Sequence, residues 1–417
     1  MTKYQYTYFI YPYTIDESKY NKYLLKLLKD PKCKCKFFEK EKDLDIYNFF
    51  LPTIRSYLFP SFEFRGESLR DFNSLKKEED KLKVLLKNHV NYFNYELAQD
   101  VQGKVGEENG VFFKVEEIEL ICFDSGLCFF AMKTHIENTN KFYDLLDFNY
   151  RFKEINSEFT SLKNFENIKI QTDSFKDIKD ISELIKQITG SNAKARKNDR
   201  EEIVNSQFYT FSYVCVETSN WSEKTNFAEI ENDFLRFANV LPSSYTSDFN
   251  KANLEHNLHI IEKYKYVKTT LSNTSSNIFC SGIDTYNYTK LPYEYENQYF
   301  YLYILSLYKK IFLLKLSNEF KIYDRIIKLR KSFIDFTGNI WNKEVTQDDS
   351  GALYYRTINR ALELDTLYSD IQNKYEVIYK DLDIEKNTNF NTIVTILLIF
   401  SLMFNTINLI FLMFFLR

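Results

Sequence analysis

The chain has 417 residues, 27% of them charged and 44% hydrophobic, which is enough apolar material to bury a large core, and two or three domains are expected at this length. Its net charge of -3 gives no whole-molecule preference for nucleic acid, so no direct nucleic-acid partner is expected. Nine glycines without a Walker loop, GxGxxG or GxSxG argue against nucleotide hydrolysis, and six scattered cysteines without CxxC spacing argue for reduced thiols rather than a disulfide framework or a zinc site.

The N-terminal MTKYQYTYFIYPY lacks a basic start followed by an apolar run and a small-residue cleavage site, so it is not read as a signal peptide, and the bulk of the chain is expected in the cytosol. Tyr4 to Tyr11 reads as a strand and Ile15 to Leu28 as a helix. Ile118 to Phe123 and Leu127 to Thr134 flank Asp124-Ser125-Gly126 and predict a β-hairpin. Phe142, Leu145, Leu146 and Phe148 mark a helix, the basic run Gly190 to Arg200 a loop, and Gln207 to Val216 a further strand. Residues 1–291 are therefore expected to form an α+β sensor domain, built on an α/β-type sheet. Its ligand-binding candidates are Asn149, Tyr150 and Arg151, an amide, a ring and a guanidinium side by side, with Trp221 for an adenine-like face and Arg236 for an anion. Arg and Trp serve packing at least as often. His256 and His259 form a two-ligand pair without a third, so no metal site is assigned.

After Pro292 no proline follows, and helices are expected over a stalk of residues 292–391. Tyr299 to Leu316 is apolar on several faces and reads as a buried packing helix. Ala361, Leu364, Tyr368, Ile371, Tyr375, Ile378 and Leu382, spaced alternately by three and four, predict a heptad seam. No Gly or Pro interrupts residues 352–417, so the seam is expected to run on as one helix of about 60 residues. Ile393 to Leu416 carries no charge. As a helix it measures roughly 36 Å against a hydrocarbon core of roughly 30 Å, and residues 392–417 are read as a transmembrane segment. Ser401, Asn405 and Asn408 share one face of that segment, either as interhelical glue or as a pore lining, and self-association would hide them from lipid.

A sheet domain, charged helices and a long heptad helix entering an apolar segment, carried here by Leu329 to Leu416, resemble the CorA family of magnesium channels. The stretch ELICFDSGLCFFAMKTHIENTNKFYDLLDFNYRF is similar to the divergent CorA-like membrane effectors associated with type III CRISPR systems. The chain departs from CorA proteins in having Met403-Phe404-Asn405 inside a single apolar segment instead of a Gly-Met-Asn loop between two membrane helices. The resemblance implies a homo-oligomeric effector of antiviral defence at the bacterial inner membrane. It would be gated by a nucleotide second messenger such as SAM-AMP and would act by permeabilising the membrane. Two other readings stand beside it: a Mg channel or transporter, and a tail-anchored oligomeric scaffold.

Overall fold

In Thr2–Thr14 (β1), Tyr6, Tyr8 and Ile10 fall on one face and Phe9, Tyr11 and Tyr13 on the other, and all six are buried. A strand apolar on both faces has to lie inside a sheet that is covered on both sides. The computed structural model, which describes residues 1–63, 72–97, 102–105, 111–136, 142–155, 169–172, 175–190, 207–246, 251–319 and 326–415, has that arrangement. The remaining strands are β2 (Cys33–Lys36), β3 (Val90–Tyr95), β4 (Gln102–Val105), β5 (Val111–Phe123), β6 (Leu127–Ile136), β7 (Lys169–Thr172), β8 (Phe175–Asp180), β9 (Tyr209–Val216), β10 (His259–Tyr264), β11 (Val267–Leu271) and β12 (Ser275–Ser281). They form one twelve-stranded sheet in the order β10-β11-β12-β9-β1-β6-β5-β4-β7-β8, with β3 also beside β5 and β2 beside β3. Neighbours pair antiparallel except β9 and β12, which run parallel.

Expected and observed elements meet most closely around the β5–β6 hairpin. Its turn needs Gly126 twice over: φ is +78°, and a Cβ there would lie 2.2 Å from the carbonyl oxygen of Ile15, whose own N–H bonds back to the Gly126 carbonyl at 2.8 Å. A bulge between Val115 and Glu117 resets the alternation, so that Phe113 and Val115 share a face with Ile118, Leu120 and Cys122.

The helices, in chain order, are α1 (Glu17–Lys29), α2 (Leu44–Phe49), α3 (Pro52–Leu58), α4 (Glu78–Leu85), α5 (Phe142–Phe152), α6 (Ile181–Thr189), α7 (Glu231–Ala238), α8 (Lys251–His256), α9 (Tyr286–Thr289), α10 (Leu291–Glu294), α11 (Phe300–Glu319), α12 (Ile326–Asn339), α13 (Asp349–Ala361) and α14 (Leu364–Phe415). Apolar residues of α1, α4, α5, α6 and α7 cover the face of Phe9. Those of α2, α3 and α11 to α13, with the start of α14, cover the face of Tyr8. Helix α11 is the centre of that second layer: Phe300 packs on Tyr8 and Phe211, Tyr301 meets Phe38, Phe59 and Tyr92, and Tyr308 stacks on Phe123 at 3.8 Å. A helix apolar on all sides is buried on all sides.

This architecture corrects the expected fold class. The chain is a mixed α/β fold with helices on both faces of one sheet, and the helices after Pro292 complete the second layer instead of forming a stalk below a sheet domain. Five of the seven seam positions are consumed inside the chain, because Ala361, Leu364 and Ile371 are buried while Tyr368 and Tyr375 pack on Phe333 of α12. The long helix is also broken: Glu363 adopts φ +55° between α13 and α14 and turns the backbone with no glycine to announce it.

The transmembrane segment, and with it the inner-membrane location, is likewise not upheld. Among the described residues no helix is long and apolar enough to cross a membrane. Ser401 is exposed on α14, and the side chains of Asn405 and Asn408 lie outside the described ones, as does the expected loop from residue 191 to 200.

Candidate ligand pocket

Three strands and one helix face build a pocket on the α11 side of the sheet. Ile261 of β10, Thr269 of β11 and Ile278 of β12 are register partners in one row across the strands, so their side chains point the same way. Val267, two residues from Thr269, and Lys263, two from Ile261, extend that row toward the β10–β11 turn. Facing them, Ser350, Leu353 and Tyr354 are spaced i, i+3, i+4 on the first turns of α13, whose N-cap Asp348 accepts the Gly351 N–H at 2.6 Å. Leu291, Tyr264 and Tyr299 close the sides of a cleft of about 460 Å³, a volume that includes solvent space at its open mouth.

Polar groups are few and placed at two levels. At the floor Ser276 Oγ shares hydrogen bonds of 2.7 Å with both Tyr354 OH and Tyr295 OH, which fixes the rings. Burial raises the pKa of both Tyr354 and Tyr299, so both hydroxyls stay protonated. At the mouth the exposed Lys263 ammonium donates to Ser350 Oγ. The site thus offers an apolar, aromatic-walled body with a single cation at its rim. This suits a ligand with a flat or branched apolar part and one anionic group, held by packing and charge-assisted hydrogen bonding.

The residues singled out from the sequence lie elsewhere, in the helical layer on the opposite face. Asn149 is buried and accepts from Thr7 Oγ1 at 3.0 Å, Tyr150 is half-buried under Lys153, and Arg151 on the same helix is exposed. Trp221 is buried among Phe227, Tyr266 and Phe279. Arg236 pairs with Asp233 at 2.8 Å and donates to the Tyr245 carbonyl at 2.8 Å. The fold does bring α5 and α7 together, with Tyr143 OH donating to Asp233 at 3.3 Å and Phe142 6.1 Å from Phe237. His256 ends α8 and His259 opens β10, so the pair does not share a helix face. The pocket itself went unseen because it joins three segments distant in sequence. Its local signals are the alternation in HIIEKYKYVKTTL and the spacing of Ser350, Leu353 and Tyr354 behind an N-cap aspartate.

No known family, no curated protein and no solved structure matches this chain, so the likeness to CorA proteins, type III CRISPR effectors and ion channels finds no support there.

Proposed function

We propose that the chain is a small-molecule-binding protein in which the β10–β12/α13 pocket takes a ligand with a planar apolar body and one anionic group, a mononucleotide being one such class. The reading rests on one observation above the others: the helix that forms the pocket wall leads directly into the root of the long helix. Ser350, Leu353 and Tyr354 belong to α13, which ends at the Glu363 elbow from which α14 departs. Occupancy that tightens α13 against β10 and β11 would be felt at the elbow, which gives the pocket an output as well as an input.

Calorimetric titration with adenosine monophosphate and with uncharged adenosine tests this reading. The monophosphate should saturate a single site and bind about tenfold more tightly than adenosine, the size of one charge-assisted hydrogen bond. That preference should vanish in Lys263→Ala, and both compounds should be excluded by Leu353→Trp. Equal binding of the two compounds to the unmodified chain, or undiminished binding to Leu353→Trp, would sink the assignment.

A further inference from the structure

Every described side chain of α14 past Tyr375 is exposed. Among residues 393 to 404, ten of the twelve are large apolar side chains, each between 37% and 68% exposed. The apolar positions are consecutive and not spaced by three and four, so they clothe the helix on every side. Just beyond them Thr406 Oγ1 donates to the Leu402 carbonyl on its own helix at 2.8 Å and so needs no solvent partner. Nothing else in the described chain leaves so long an apolar run uncovered: the other exposed large apolar side chains stand singly, as Phe112, Tyr143 and Ile334 do.

The size of the run tells what covers it. Ten half-exposed aliphatic and aromatic side chains present on the order of 1,000 Å² of apolar surface, more than the few hundred Å² that a monomer ordinarily leaves open. This is also about the 800 Å² that each partner contributes to a stable protein interface. The occupant has to offer an apolar strip of the same length with no polar face, and a second copy of this chain carries one by construction. A single neighbour covers one side of a helix and leaves the other wet, so a helix apolar all round needs neighbours on several sides.

From this we infer that copies of the chain associate through residues 393–404 of α14, packed as a bundle of three or more helices. The assembly does not depend on the pocket, because none of these side chains is part of the pocket wall or of the chain's own core.

Sedimentation of the full chain, with and without phosphatidylcholine vesicles, tests the inference together with cross-linking of Phe400→Cys. Wild type should sediment as a discrete species of at least three chains. The triple variant Leu397→Glu, Phe400→Glu, Phe404→Glu should fall to monomer while keeping its circular dichroism and melting temperature, since those side chains are more than half exposed and belong to neither core layer. Oxidation of Phe400→Cys should give cross-linked chains, whereas Tyr143→Cys, also exposed but on α5, should not. A wild type that stays monomeric in buffer, or that floats with vesicles as a monomer without cross-links, would overturn the inference, and so would a triple variant that remains oligomeric.

Discussion

Lys309 is a costly residue to bury. It lies on α11 with 1% of its surface exposed, its ammonium donates to Tyr355 OH, and it sits 5.5 Å from the Trp341 ring centre. Tyr355 passes the chain on to the Asn342 carbonyl at 3.0 Å. Burial pulls the Lys309 pKa down to about 7, opposed by the charge of Asp365 on α14, and the neighbouring Lys310, bonded to Asn273, is pulled down to about 8. An unfolded lysine titrates near 10.4, so between about pH 7 and 10.4 the unfolded chain holds the extra proton and stability rises with pH. At pH 7 and below the full penalty is present. Lys309→Met, which keeps the volume and removes the charge, should therefore raise stability at pH 7 by about 2–4 kcal/mol, with the gain shrinking toward pH 10. Urea midpoints of the two proteins at pH 7 and pH 10 measure this, and a gain independent of pH would show that Lys309 is not the group titrating. Such a cost was invisible in the sequence, where Tyr299 to Leu316 reads simply as a buried packing helix, apolar on several faces. Which lysines are buried depends on α12 to α14 closing over α11, and that is a tertiary fact.

Between elements, one ion pair does much to dock the outer strands. Lys36 of β2 reaches across β3 to Glu119 of β5 at 3.3 Å and Glu117 at 3.5 Å, and Tyr301 of α11 donates to Glu119 at 3.4 Å. Burial raises the Glu119 pKa to about 7 even with Lys36 opposing it. Lys36→Met leaves that carboxylate buried without its cation and should cost about 3 kcal/mol at pH 8. A raised acid is stable in its protonated form, so the loss should be smaller at pH 5, where Glu119 holds its proton. Melting temperatures at the two pH values decide it, and an equal loss at both would place the effect in packing. At this scale the sequence was legible wherever a period was local. The two-residue alternation of β1, the hairpin around Asp124-Ser125-Gly126 and the all-round apolar α11 follow from neighbours in the chain. The partner of the heptad seam does not, because Leu364 and Ile371 are equally suited to a helix of another chain or of their own. Nor does the elbow at Glu363, since an ordinary residue in a left-handed conformation carries no compositional mark.

For the molecule as a whole, the two tryptophans report on opposite sides of one sheet. Trp221 is packed on Phe279 in the layer over Phe9, while Trp341 stacks on Tyr368 at 4.2 Å in the layer over Tyr8. Because both layers rest on the same strands, neither can lose its support without the other, and denaturant unfolding should be cooperative across them. The single-tryptophan variants Trp221→Phe and Trp341→Phe should therefore show coincident fluorescence transitions in urea. Transitions separated by more than the shift in stability from the substitution itself would mean that the layers unfold independently.

The elbow at Glu363 gives α14 the proportions of a lever. From Leu364 to Tyr375 the helix is clamped by α11 and α12, and from there to Phe415 it runs on for 40 residues, about 60 Å at 1.5 Å per residue. The clamped arm is about 17 Å by the same rise, so pivoting near Tyr375 multiplies displacement by roughly 3.5. A shift of about 1 Å where α13 meets α14, the scale at which packed helices slide, would carry the tip through roughly 3–4 Å. Such a pivot would trade force for travel: the far end would move several times as far as the start of α14, and with correspondingly less thrust.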